Sequence, residues 1–249
     1  MTPTLLATIE AAETESLGLY GGEIQQFGPV WAIFASPGLP VNVAWGFGSH
    51  SDGLSGHLDA VEAFFARHAL PSRLVLYSHF PAWEALALRG YRLERLLHVH
   101  ARSLEGLPES LSAESGVRVR ASPPDEFAAL SARAFGPGNG AMMARTAARP
   151  RTEFFVAELE GRPASAAALS VFGNVAWLFS AATLPEFRGQ GAQTALLAAR
   201  LHAAKEAGAL HAAVVTTPGS ASERNVQRAG FVQVGARLSM VRDQPSNTV

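Results

Sequence analysis

The chain has 249 residues, a formal net charge of −1, 48% hydrophobic residues and no cysteine. That much apolar material suffices for the core of one large domain or two small ones, and the near-neutral balance supplies no basic field to attract nucleic acid or an anionic membrane. The lack of cysteine excludes disulfides, thiolate metal sites and a cysteine nucleophile.

The first 14 residues mix acids with apolar residues and have no basic segment followed by an apolar core, as a signal peptide would. No apolar run approaches the roughly 20 residues that span a bilayer. A folded, soluble, cytoplasmic protein is therefore expected, with neither membrane nor nucleic acid as partner.

In chain order, Leu58, Val61, Phe65 and His68 mark one face of a helix, residues 73 to 77 read as a strand, 83 to 88 as a helix and 96 to 101 as a closing strand. The stretch SLEGLPESLSAESG at 103 to 116 lacks periodicity and reads as a linker. It divides the chain into a first domain at 1 to 104, a linker at 105 to 116, a second domain at 117 to 243 and a tail at 244 to 249.

After the break, residues 117 to 121 alternate as a strand, and Pro123-Pro124-Asp125 opens a helix through Phe135, with Phe127, Leu130 and Ala134 on one face. Residues 153 to 159, 164 to 172 and 175 to 184 read as an antiparallel meander, with turns at 160 to 163 and 173 to 174. A helix from about 193 to 207, a strand at 212 to 217, a short helix at 221 to 229 and a last strand at 231 to 241 follow. Pairing Val75 with Val215 gives an offset of 140 residues, which also pairs Gly90-Tyr91 with Gly230-Phe231. The first half thus reads as a partial copy of the second, without its opening strand and helix.

The stretch PEFRGQGAQTALL at 185 to 197 places two glycines immediately before a helix. A helix start exposes N–H groups with no intrahelical partner and is locally positive, and glycine lets an anion approach the backbone closely. The stretch reads as a phosphate cradle. At the 140-residue offset it falls on Gly48-Ser49-His50-Ser51-Asp52-Gly53, which lacks the arginine and carries an acid.

Residues 117 to 241 resemble the GNAT superfamily of N-acyltransferases, whose acyl-CoA motif runs Arg or Gln, two residues, Gly, one residue, then Gly or Ala. Arg188 and Gly191 match it. Gln193 departs from it and brings a side chain to the tightest part of the turn. The resemblance implies an α/β (α+β) GNAT fold with a mixed, mostly antiparallel sheet flanked by helices, preceded by a second, smaller and degenerate GNAT-like domain. It implies acetyl-CoA as cosubstrate, with Arg188, Gly189, Gln190, Gly191, Ala192 and Gln193 at the pyrophosphate. Ala181, Ala182, Thr183 and Asn225 would lie along the pantetheine arm.

The implied function is N-acetyl transfer to a primary amine by direct transfer in a ternary complex, on a small-molecule or peptide acceptor. A non-catalytic acyl-CoA-binding or scaffolding protein is the alternative. The backbone N–H near Ala182 would face the oxyanion, while the position where many members carry a tyrosine acid is Val226. Ser222 and Glu158 are the catalytic candidates, Ser222 reading more readily as a helix cap and Glu158 as an exposed carboxylate. His98 and His100 share one side of a strand as metal ligands could, but no third ligand is near, so no metal is expected. Met142 and Met143, within 139 to 148, fall where such proteins build a substrate-side helix. Oligomeric state is not readable.

Overall fold

The computed structural model describes residues 4–48, 53–108 and 116–243. The elements in chain order are α1 (Leu5–Gly18), β1 (Glu23–Phe27), β2 (Val30–Phe34), β3 (Ala44–Trp45), α2 (Leu54–Arg67), β4 (Ser72–Tyr77), α3 (Trp83–Leu88) and β5 (Arg92–Ser103). There follow β6 (Val117–Ala121), α4 (Pro124–Phe135), α5 (Gly140–Ala147), β7 (Glu153–Leu159), β8 (Arg162–Phe172), β9 (Val175–Thr183), a 3-10 turn at Pro185–Phe187, α6 (Ala192–Glu206), β10 (His211–Thr216), α7 (Ala221–Arg228) and β11 (Val232–Arg242). The chain divides into two compact units, residues 1–98 with 234–249, and residues 99–233.

In the first unit the strand order is β1-β2-β3-β4-β11. β1 and β2 form a hairpin with Phe27 opposite Val30, β3 pairs β4 in parallel through Ala44 and Leu74, and β11 runs antiparallel to β4 from Arg237–Tyr77 to Arg242–Ser72. α2 buries Leu54, Leu58, Val61, Phe64 and Phe65 in a core shared with Leu74, Leu76 and Phe80. The first half does carry an opening helix, contrary to the expectation above. α1 escapes pattern reading because its inner face holds Glu10, Glu13 and Ser16 beside Ile9 and Ala12.

In the second unit β10-β9-β8-β7-β6 lie in that order, and β9 and β10 are the parallel pair. α4 opens on Pro123 and Pro124, carries Asp125 and Glu126 in its first turn and buries Phe127, Leu130 and Ala134. The methionine segment forms α5, with Met143 buried. α6 buries Leu196, Leu197, Leu201 and Ala204.

The repeat holds at the level of elements. α2 and α6, β4 and β10, α3 and α7, and β5 and β11 begin 138 to 140 residues apart, at Leu54 and Ala192, Ser72 and His211, Trp83 and Ala221, and Arg92 and Val232. Each unit also contains one parallel pair in a mostly antiparallel set. Of the expected linker, residues 109–115 lie outside the described residues, as do the tail at 244–249 and residues 49–52 of the loop matched to the cradle.

Candidate functional site

β9 and β10 run parallel but pair only where Val175–Trp177 meet His211–Ala213. Both strands continue beyond that point, β9 to Thr183 and β10 to Thr216, without registered pairs, so a wedge opens between them. On the other side of β9 the ladder with β8 breaks. Ala168 faces Phe179 and Ala166 faces Ala182, leaving Ser180 and Ala181 opposite Ala167. This is a β-bulge, with Ser180 in the left-handed region at φ 50°. The bulge interrupts the regular ladder in the strand that borders the wedge.

The chain then passes through the 3-10 turn to Arg188, extended at φ −68°, ψ 149°. Gly189 and Gly191 follow at φ 78° and 80°. Side chains with a Cβ adopt this conformation at a cost, which is why glycines stand here. A Cβ built on Gly189 meets nothing within 4 Å, so the space before the loop is open. Gly191 is the N-cap of α6, with no side-chain cap and no acid in the first turn. The helix start therefore presents its N–H groups outward, a donor set suited to a phosphate. Arg188 is exposed, and its Nε donates to the Thr183 carbonyl at 3.4 Å. Gln190 is exposed beside it, its Nε2 donating to the Glu186 carbonyl at 3.2 Å, and Ala192 is buried.

Gln193 does not obstruct the turn. Its side chain points back to the sheet, where Nε2 donates to Thr183 Oγ1 at 2.9 Å and to Ser165 Oγ at 3.2 Å. The Ser165 hydroxyl donates to the Ala182 carbonyl at 2.8 Å, so the Thr183 hydroxyl, 2.8 Å away, donates to Ser165. Every proton of the cluster has an acceptor. The departure from the family motif is thereby compensated within the chain by Ser165, 28 residues away.

The catalytic candidates lie apart from this network. Glu158 Oε1 accepts from Arg120 Nε at 2.7 Å, and the same guanidinium bonds Glu126. That pairing with Arg120 lowers the Glu126 carboxyl below its ordinary range. Ser222 is exposed inside α7. The cap is Ser220, whose Oγ accepts from Glu223 N at 3.1 Å. Asn225 is half-buried, and its Oδ1 accepts from Arg228 Nη1 at 3.2 Å. Val226 is buried in an apolar cluster with Leu197 and Leu201. His100 is fully buried, with Nδ1 3.4 Å from Thr216 Oγ1 and Nε2 3.5 Å from Glu223 Oε1. Among the described residues, no group of three or more His, Asp or Glu could hold a metal ion.

Two features of the site went unread in the sequence, the bulge and Arg200. The signal for Arg200 was present, since it falls on the same helical stripe as Leu196, Leu197, Leu201 and Ala204 and is itself buried. A recess of about 520 Å³ lies between α4 and α5, lined mainly by alanines such as Ala128, Ala132 and Ala144. It includes no residue of the glycine loop.

Residues 124–231 match the acetyltransferase (GNAT) family. Among solved structures the chain is similar to a GCN5-related N-acetyltransferase from Kribbella flavida, at 15% identity and TM-score 0.77 over 98% of this chain and 97% of that one. It is similar to a GCN5-related N-acetyltransferase from Sphaerobacter thermophilus, at 15% identity and TM-score 0.64 over 83% and 74%. A tandem GNAT protein from the clavulanic acid biosynthesis pathway aligns at 15% identity and TM-score 0.59 over 98% and 90%. No curated protein matches the sequence. At these identities the structures establish a shared fold, in the last case a tandem one, while the sequence match covers the segment that holds the wedge and the glycine loop. Residues 124–231 thus match the acetyltransferase (GNAT) family, and the chain shares the fold of GNAT N-acetyltransferases.

Proposed function

We propose that the second unit binds acetyl-CoA in the wedge between β9 and β10 and passes the acetyl group to a primary amine on a small molecule or peptide. The observation that carries this reading is the coincidence of three features: an open strand pair, a bulge in β9 beside the opening, and an uncapped helix start on two left-handed glycines. The N–H groups of residues 189 to 193 would face the pyrophosphate, with Arg188 as a charged donor beside it. The edge at Ala181 to Thr183 would pair with the amides of the pantetheine arm as a neighbouring strand would, and Asn225 would bond the same arm.

Bound acetyl-CoA supplies an activated thioester. The chain's part is to orient it, to offer the backbone N–H near Ala182 to the oxyanion, and to hold the amine within reach. With no cysteine to take the acetyl group, direct transfer in a ternary complex is the expected order. A cytoplasmic setting fits this chemistry. The buried Val226 at the usual tyrosine position favours the second reading, a non-catalytic acyl-CoA binder.

Isothermal titration with CoA tests the site. Binding is expected, and Arg188→Glu should weaken it by on the order of 2 kcal/mol. No heat of binding with the intact chain would end the acyl-CoA reading. Thiol release from acetyl-CoA with a panel of amines separates the two readings, since the non-catalytic one requires binding without release.

A further inference from the structure

Arg200 is only 3% exposed, on the inner face of α6. Its Nε donates to the Leu196 carbonyl at 3.1 Å and its Nη1 to the Ala168 carbonyl at 3.3 Å. Among the described residues no carboxylate pairs with it, and burial alone pushes the guanidinium down to about 9, still charged at neutral pH. A buried cation without an acid is unfavourable relative to an apolar side chain of similar length. The position is one where Leu or Met would continue the stripe of Leu196, Leu197 and Leu201.

The place where this cost is met is specific. Ala168 is the last β8 residue in regular register with β9, opposite Phe179, before the bulge. The bulge carries a second unfavourable feature, the left-handed conformation of Ser180, a non-glycine residue, at φ 50°. On the far side of the bulge, Ser165 holds the Ala182 carbonyl and, through Thr183 and Gln193, the start of α6. The bulge is thus clamped at both ends from one helix, by Gln193 through the Ser165 cluster and by Arg200 through Ala168.

We infer that Arg200 is a positioning residue for acyl-CoA: by holding the Ala168 carbonyl against α6 it sets the bulge that turns the backbone of Ser180–Ala182 toward the pantetheine and thioester end of the ligand. This rests on the acyl-CoA reading above. The clamp acts on β8, beside the strand that would meet the arm, whereas the phosphates would meet the glycine loop, so the two ends of the ligand should respond differently to its removal.

The test uses the full chain and two probes, CoA and 3′-phospho-ADP, which is the head group of CoA without its arm. By isothermal titration, Arg200→Met, which keeps length and loses charge, should weaken CoA by about tenfold and leave 3′-phospho-ADP within about twofold. Arg200→Lys, which retains the charge, should recover part of that loss, leaving CoA about threefold weaker than wild type. Amide exchange should rise at residues 178 to 184 and stay unchanged at the start of α6. Loss of both probes together, or of neither, overturns the inference and leaves the acyl-CoA reading standing. A wild-type chain that binds neither probe ends that reading and this inference with it. Should Arg200→Met not fold, Arg200→Lys decides alone: a loss of about threefold confined to CoA supports the clamp, and unchanged CoA affinity overturns it.

Discussion

Gln193 illustrates how a single side chain can depart from a motif without disabling it. At the level of the motif it crowds a turn. In the folded chain its amide is spent on Thr183 and Ser165 beneath the turn, and the space before the loop stays open. Gln193→Gly, which restores the family pattern, should therefore destabilise the chain by about 1–2 kcal/mol, from two lost hydrogen bonds and a glycine in the first helical turn. CoA affinity should not improve. A denaturation midpoint equal to wild type, or a gain in CoA affinity, would show the side chain to be an obstruction after all. A second residue in the first unit gives a signed pH effect. Burial raises the Glu10 carboxyl above its ordinary 4.5, opposed by His79 at 2.6 Å and by the Gly48 N–H, with Glu13 adding to the rise. An acid whose folded pKa is raised contributes most below its unfolded pKa, and that contribution is lost as pH rises through the folded value. The melting temperature of Glu10→Gln minus that of wild type should accordingly increase between about pH 4 and pH 7. A difference that stays flat or falls would mean that the pairing with His79 outweighs burial.

At the scale of elements, the site is made by two interruptions of regular structure, a bulge in β9 and a helix that starts on a left-handed residue. α2 begins the same way, on Gly53 at φ 69° without a side-chain cap. An alanine at either N-cap must adopt a conformation that L residues avoid. Gly191→Ala is expected to destabilise by about 1 kcal/mol and also to weaken CoA, because its methyl group stands at the anion-facing turn. Gly53→Ala, in the first unit, should carry a similar stability cost and leave CoA affinity alone. Comparing melting curves and titrations of the two variants checks both halves of this expectation. Equal losses of CoA affinity would show that the second-unit loop is not the phosphate site.

At the scale of the whole chain, the compact units do not follow the order of the sequence, because residues 234–249 belong with residues 1–98. In the first unit β11 supplies the antiparallel neighbour of β4 along Ser72–Tyr77. A fragment of residues 1 to 104 would leave that edge bare and should aggregate on expression. A soluble fragment with one cooperative melting transition would show that the first half folds without β11. The sequence by itself determined the elements with strong local signals. These are the meander of β7 to β9, the glycine loop, the apolar stripes of α2, α4 and α6, and the repeat near 140 residues. Periodicity and glycine act over a few residues, so they are legible without a partner. α1 was not legible, because its inner face is partly carboxylate and such a face is stable inside only with partners distant in sequence, among them Gly48, Tyr77, His79 and Arg237. β3 was not legible either, since two residues carry no period. Only the tertiary structure decided that β11 pairs with β4, that Gln193 turns inward to Ser165, and that Arg200 meets the carbonyl beside the bulge. Strand register and side-chain direction are set by groups distant in sequence, whose attraction for one another exists only once the chain has brought them together.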